Sequence, residues 1–290
     1  MDLFDTNTTF ERQLFAKAAR NCIPLYGVLE LLPLCNLNCD MCYVHLSKQE
    51  MQSQGRLRSL DEWISLAKQM KDAGTLFLLL TGGEPLLFHQ FKELYCALKD
   101  MGMILTLNTN GTLINEEWAE FFAKNKPRRI NITLYGSKNE TYENLCHMKD
   151  GFDKTIRGIE LLKKYKIDVK INGSLVKKNF HDRMEIIDIG EKYDIPVRID
   201  TYMYPSVRER TTPFNFQERL NPEDAAKARV EILHREMGDE LFEQYAKQTI
   251  YLAEIQDMPE ALENVNTLVN CPVLDEENPT LTLTIANTGE

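Results

Sequence analysis

The chain lacks any apolar run long enough to cross a bilayer: a stretch such as Leu76-Phe77-Leu78-Leu79-Leu80 ends at five residues, where a membrane helix needs about 20. Positive charge is also in short supply. Lys and Arg total 34 against 44 Asp and Glu, a formal net charge of −10, and a field of that sign repels phosphate. No nucleic acid and no membrane partner is therefore expected. Cysteine is too odd in number for a complete disulfide framework: there are seven, three of them crowded into one short loop. The opening Met-Asp-Leu-Phe-Asp-Thr has neither a basic stretch nor an apolar one, so no secretory signal is read there and a reducing, cytoplasmic setting is the expectation. What is present is ordinary for an enzyme. With 290 residues, 43% hydrophobic and 27% charged, the chain can bury one large core, with or without an appendage.

The distinctive stretch is Cys35-Asn-Leu-Asn-Cys39-Asp-Met-Cys42-Tyr43, directly after the apolar run Val28–Leu34. Cys35, Cys39 and Cys42 can converge on one small object, and soft thiolates suit either an iron–sulfur cube or zinc. With His45 as a fourth ligand the set would close a tetrahedral zinc site. With three thiolates alone, a [4Fe–4S] cube keeps one iron open to another ligand.

From about residue 26 short β-rich runs alternate with helical patterns. Strands are expected over 27–34, 75–80, 103–108, 130–135, 168–175 and 196–202, and helices over 59–72, 88–100, 115–124, 152–165 and 182–193. Ser59 with Glu62 resembles a capping box, and Asn115 opens the third helix with two acids behind it. Alternation of this kind implies a parallel sheet with right-handed crossovers. The fold class read here is α/β, a partial (β/α)6 TIM-like barrel with a helical C-terminal extension. An amphipathic helix precedes it near 10–19. Helices at 222–237, 239–256 and 259–268 follow, then an extended Thr-rich end.

The unusual residues fall where strands end. Cys35–Cys42 follow the first strand, Thr81-Gly82-Gly83-Glu84-Pro85 the second and Asn108-Thr109-Asn110-Gly111 the third. Thr133, Tyr135 and Gly136 close the fourth, Asn172-Gly173-Ser174 the fifth and Asp200-Thr201-Tyr202 the sixth. In a parallel barrel these ends share the rim that carries chemistry. Gly82 and Gly83 would let backbone approach a ligand where a Cβ would collide.

The cysteine spacing together with Thr81–Pro85 resembles the radical S-adenosylmethionine (SAM) superfamily, over about residues 21–205. The resemblance implies the same partial barrel, a [4Fe–4S] cluster on Cys35, Cys39 and Cys42, and SAM on the open iron. It also implies an external one-electron donor of flavodoxin or ferredoxin type. Gly82, Gly83 and Glu84 would then meet the amino group of SAM, and Tyr43 would lie beside its adenine. Asn108, Asn110 and Thr133 are candidates for its ribose and carboxylate. Asn172 and Ser174 would line the cofactor or the adjoining substrate space, with Asp200 and Tyr202. Each polar strand end could instead cap its own turn. Cys146 is the candidate hydrogen-atom donor to a substrate radical, with His45 and His147 as further donors, against the plainer reading of an ordinary helix or loop cysteine. The pairs Arg128-Arg129, Lys163-Lys164 and Lys177-Lys178 read as solvated faces.

Ile23-Pro24-Leu25, Ile130–Gly136 with Glu140-Thr141-Tyr142, and Gly151–Ile156 resemble the branch that carries a C-terminal SPASM domain and modifies peptides and proteins. That branch normally ends in a cysteine-rich domain, whereas here only Cys271 remains beyond the core. The expected division is an N-terminal helical segment (1–24), the core (25–205), a helical extension (206–270) and a truncated or vestigial SPASM-like tail (271–290). The expected activity is reductive cleavage of SAM and abstraction of hydrogen from a peptide or protein. A small-molecule substrate, or a noncatalytic iron–sulfur or zinc module, is the alternative.

Overall fold

The computed structural model describes residues 9–203, 218–256 and 282–286. Helix α1 (Thr9–Arg20) leads into strand β1 (Tyr26–Glu30), then α2 (Lys48–Gln54), α3 (Leu60–Asp72), β2 (Phe77–Thr81), α4 (Phe91–Asp100) and β3 (Ile104–Thr109). The chain continues through α5 (Glu116–Lys124), β4 (Arg129–Thr133), α6 (Asn139–Cys146), α7 (Gly151–Lys164), β5 (Val169–Ser174), α8 (Arg183–Tyr193) and β6 (Val197–Asp200). Beyond it lie α9 (Pro222–Gln256), broken at Gly238 where φ is 74°, and β7 (Thr282–Ala286). All pairings are parallel and the sheet runs β6-β5-β4-β3-β2-β1-β7. The first six strands are thus in sequence order, as βαβ units with right-handed crossovers produce. The expected partial barrel is the fold observed, and the Thr-rich end adds a further strand beside β1.

Alternation along the strands divides the sheet into two faces. In β3, Leu105 and Leu107 are buried under the helices while Thr106 and Asn108 are only half-buried, and β4 and β5 follow the same rule. The register sets Asn108 against Asn131, Thr133 against Asn172, and Ser174 against Asp200. The inner face therefore carries rows of polar side chains, and the apolar core lies between sheet and helices. Trp63, Phe91, Tyr95 and Phe122 anchor that layer with essentially no exposure, each contributing about 1.5–3 kcal/mol by burial.

Local stops match the sequence reading. Ser59 and Glu62 form the reciprocal capping box, and the Asn115 side chain accepts from Trp118 N at 3.0 Å. Two short helices were not expected from periodicity. Helix α2 buries no residue and rests on a capping box of Ser47 and Glu50, and α6 has only eight residues. Arg128 and Arg129 are a correction. Arg129 begins β4 on the inner face and pairs with Asp168 at 3.0 Å, while Arg128 lies over the Phe77 ring and pairs with Glu11. The helix expected at 259–268 and Cys271 lie outside the described residues. Among the described residues no helix is long and apolar enough to cross a membrane.

Candidate functional site

The loop carrying the three cysteines leaves β1 and stays tied to β2. Leu31 N–H donates to Thr81 O at 2.9 Å, Gly83 N–H to Leu32 O at 2.7 Å and Glu84 N–H to Leu34 O at 2.9 Å, so the β1–β2 ladder extends past the ends of both strands. The two glycines make this possible. A Cβ on Gly82 would stand 2.6 Å from Leu32 O, and one on Gly83 2.3 Å from Leu34 O. The close approach foreseen for a ligand is thus first an approach of one backbone to another. Gly82 also has φ 145°, which favours glycine. Both glycines nevertheless line the cavity described below.

The middle of the loop is strapped to the end of α6. Asn38 N–H donates to Cys146 O at 3.1 Å and Asp40 N–H to Leu145 O at 3.0 Å, bracketing Cys39. Asp40 reaches His147 at 2.8 Å and also Lys178. Burial opposes ionisation of Asp40, but hydrogen bonds from Lys178 and His147 outweigh it and hold its carboxyl below the usual range. His147, expected as a donor, instead takes the left-handed conformation that ends α6 and anchors this loop.

Two of the three sulfurs have N–H donors directed at them. Cys35 Sγ accepts from Leu37 N–H at 3.4 Å and Asn110 Nδ2 at 3.7 Å, and Cys42 Sγ accepts from His45 N–H at 3.2 Å. Burial pushes the Cys35 thiol up to about 12, and contact with Cys146 together with burial holds Cys39 well above its ordinary value. Metal binding must therefore displace protons from both. Among the described residues no three His, Cys, Asp or Glu side chains crowd closely enough to hold one metal ion. Three soft sulfurs on one short loop, two of them accepting N–H hydrogen bonds, are a donor set that fits an iron–sulfur cluster.

A cavity of about 310 Å³ opens beside the loop. Cys39, Cys42 and Tyr43 line one side, Gly82 and Gly83 the floor next to it, and Asn108, Asn110, Thr133, Asn172, Ser174 and Asp200 the strand ends opposite. Most of the residues picked out from the sequence thus share one space. Tyr43 lines the cavity and is 53% exposed.

Three residues differ from expectation. Glu84 is fully buried and its carboxylate faces inward, accepting from Thr109 Oγ1 at 2.8 and 2.9 Å, Asn110 N at 2.9 Å and Leu86 N at 3.1 Å. It staples the β2 loop to the β3 loop rather than reaching the cavity. Asn110 spends its side chain on Asn36 at 3.0 Å and on Thr112, which ties the β3 loop to the cysteine loop. Cys146 has no exposure and is not among the residues lining the cavity; a hydrogen-atom donor must reach the substrate, and this thiol does not. Tyr135 is the residue that sequence reasoning passed over. As a strand end it carries no assigned role in the sequence, yet it lines the cavity together with Cys39 and Cys42. Its place just after the inward Thr133 was the only available signal.

Below this space the inner face continues into a second hollow of about 420 Å³, sharing Asn172 and Asp200. Arg129, Lys170 and Arg198 line it, with Asp168 and Asp200 paired to the two arginines.

Comparison with known proteins adds a family. The profile described as Radical SAM superfamily matches residues 29–189. An AdoMet-dependent heme synthase of Methanosarcina barkeri is 29% identical over 196 residues, 66% of this chain and 55% of the relative. A cysteine-type anaerobic sulfatase-maturating enzyme of Clostridium perfringens is 34% identical over 152 residues, 47% of this chain and 40% of the relative. The chain spans about half the length of the curated relatives it matches. Among solved structures, Streptococcus suis SuiB bound to S-adenosylmethionine superposes with a TM-score of 0.60 at 20% identity, covering 78% of this chain and 51% of that one, a likeness of fold. Enzymes of this family use a [4Fe–4S] cluster and SAM. With the profile covering more than half of its residues and the cysteine loop, glycine turn and partial barrel all present, the chain belongs to the Radical SAM superfamily.

Proposed function

We propose that the chain reductively cleaves SAM and abstracts hydrogen from a peptide or protein. When bound, the reduced cluster and SAM supply a 5′-deoxyadenosyl radical that takes a hydrogen atom from the substrate. Cys35, Cys39 and Cys42 are the residues that would hold the cluster. The observation carrying this reading is that one cavity is lined at once by two of these cysteines, by Gly82 and Gly83, and by the polar ends of β3 to β6. Tyr43 would cover the adenine, Asn108 and Thr133 would meet polar groups of SAM, and Asn172, Ser174 and Asp200 would orient the substrate C–H bond. Walls of this kind also exclude water from a reactive radical.

The peptide substrate is supported by the sulfatase-maturating relative and by the shape of the mouth. Tyr43, which lines the cavity, is 53% exposed, and Tyr202, two residues past Asp200 of the lining, is 51% exposed. Strand β6 is the last strand on its side of the sheet, and such an edge can pair with an extended chain. A small molecule bearing carboxylates is the second reading, favoured by the cations of the lower hollow and by the heme synthase relative.

Anaerobic reconstitution tests the chemistry: the protein should be brown and, with dithionite, convert SAM to 5′-deoxyadenosine. A colourless protein with one zinc would overturn it. Substrate class is tested with deuterated candidates, a short peptide encoded beside the gene and a deuterated tetrapyrrole carboxylate. Deuterium should pass to 5′-deoxyadenosine from the peptide. Transfer from the tetrapyrrole alone would establish the second reading.

A further inference from the structure

Four basic side chains, Arg128, Arg129, Lys170 and Arg198, line the lower hollow of a chain whose formal net charge is −10. Two of them are held in the same way. Arg129 gives its Nε and Nη2 to Asp168 Oδ2, each at 3.0 Å, and Arg198 gives the same edge to Asp200 Oδ1 at 3.2 and 3.1 Å. Each aspartate thus fixes the plane of one guanidinium, whose Nη1 makes no hydrogen bond among the described residues. A planar fork anchored along one edge, with donors to spare on another, suits a carboxylate.

The sheet sets both arginines beside the upper cavity. Arg129 lies four residues before Thr133 on β4, and Arg198 stands in register with Asn172 of β5, which lines both spaces. The Asn172 side-chain amide makes no hydrogen bond among the described residues. Neighbouring strands lie about 4.8 Å apart, and an extended chain advances about 3.3–3.6 Å per residue. One or two residues of substrate therefore span the step from Asn172 to the arginines. We propose that the lower hollow is a carboxylate-binding subsite, in which Arg129 and Arg198 receive an acid that the substrate carries close to its reacting C–H bond. In a peptide that acid is an Asp or Glu side chain within two residues of the one that loses hydrogen. This rests on the reading that the upper cavity is where substrate meets SAM.

The test is arginine labelling of the reconstituted protein with phenylglyoxal, read residue by residue by mass spectrometry. Glutarate should slow modification of Arg129 and Arg198 threefold or more and leave the exposed Arg56 unchanged, while uncharged glutaramide should protect neither. Arg198→Gln should remove the protection of Arg129 as well, a coupling that two separate structural ion pairs would not show. Equal labelling with and without glutarate overturns the subsite, whatever the chain does with SAM. The source of the acid is separated by repeating the protection with a short peptide encoded beside the gene and with a tetrapyrrole carboxylate. The peptide should protect, and should cease to do so when its Asp and Glu are changed to Asn and Gln. Protection by the tetrapyrrole alone keeps the subsite and overturns the peptide as its source. A protein whose arginines are protected but which yields no 5′-deoxyadenosine from SAM overturns the reading beneath, not the subsite.

Discussion

The two sides of the cavity are built differently. On the cysteine side, position is set by backbone: the loop is laddered to β2 through Leu31, Leu32 and Leu34, strapped to α6 on either side of Cys39, and closed against two glycines that leave no room for a Cβ. Glu84 and Asn110, though side chains, serve the same purpose by tying one loop to the next. On the β5–β6 side, Asn172, Ser174 and Asp200 lie at strand ends, and among the described residues only Asp200 of the three has a side-chain ion pair, with Arg198 two residues away on its own strand. Backbone geometry tolerates few residue types, whereas a strand-end side chain can be exchanged without disturbing the strand. On the proposed reading, the side that would hold the cofactor is therefore the rigid one, and the side that would meet substrate is free to vary.

That contrast can be broken by mutation, and the largest effect is expected at the cysteines. Cys39→Ala should abolish both the brown colour and SAM cleavage, as iron content and 5′-deoxyadenosine yield would report. Gly83→Ala comes next, since its Cβ meets the Leu34 carbonyl at 2.3 Å and a backbone contact cannot rotate away. A loss of about 2–3 kcal/mol, or roughly 5–10 °C in Tm, should accompany reduced cluster loading.

Glu84→Gln is expected to cost about 1–3 kcal/mol, because both carboxylate oxygens accept and an amide would set its NH2 against a donor. Burial raises the Glu84 pKa from 4.5 to about 7 despite three hydrogen-bonding groups that oppose the shift. A folded-state value above the unfolded one means that this group's stability contribution is complete below pH 4.5 and is lost as pH rises through about 7. Thermal melts of the metal-free protein should thus show a decline over that window that Glu84→Gln lacks. Equal slopes in the two proteins would count against an inward carboxyl.

The smallest effect on stability belongs to the opposite wall. Ser174→Ala should change stability by less than about 0.5 kcal/mol and leave uncoupled SAM cleavage intact, while lowering the yield of modified substrate. A matching loss of SAM cleavage would mean that the two sides are not separable.

Much of this was legible in the chain itself. Cys35, Cys39, Cys42 and the Gly82-Gly83 turn could be read because close backbone contact and metal ligation each accept almost one residue type. Alternation placed the strands within a few residues, and caps such as Ser59 and Asn115 placed the helices. The inward turn of Glu84 was not legible, because its partners Thr109 and Asn110 lie 25 and 26 residues away. Nor was Arg129, where a basic pair looked solvated until the strand's parity turned it onto the inner face.

By itself, the sequence determined the α/β architecture, the three-sulfur loop and the family to which both belong, since period, spacing and glycine are local properties that survive without knowing neighbours. Only the tertiary structure decided which motif residues face the cavity and which hold it together. Glu84 and Cys146 are buried outside the cavity lining while Tyr135 is part of it. That division depends on which groups find hydrogen-bond partners across distant loops, and a buried carboxylate or thiol goes wherever those partners are.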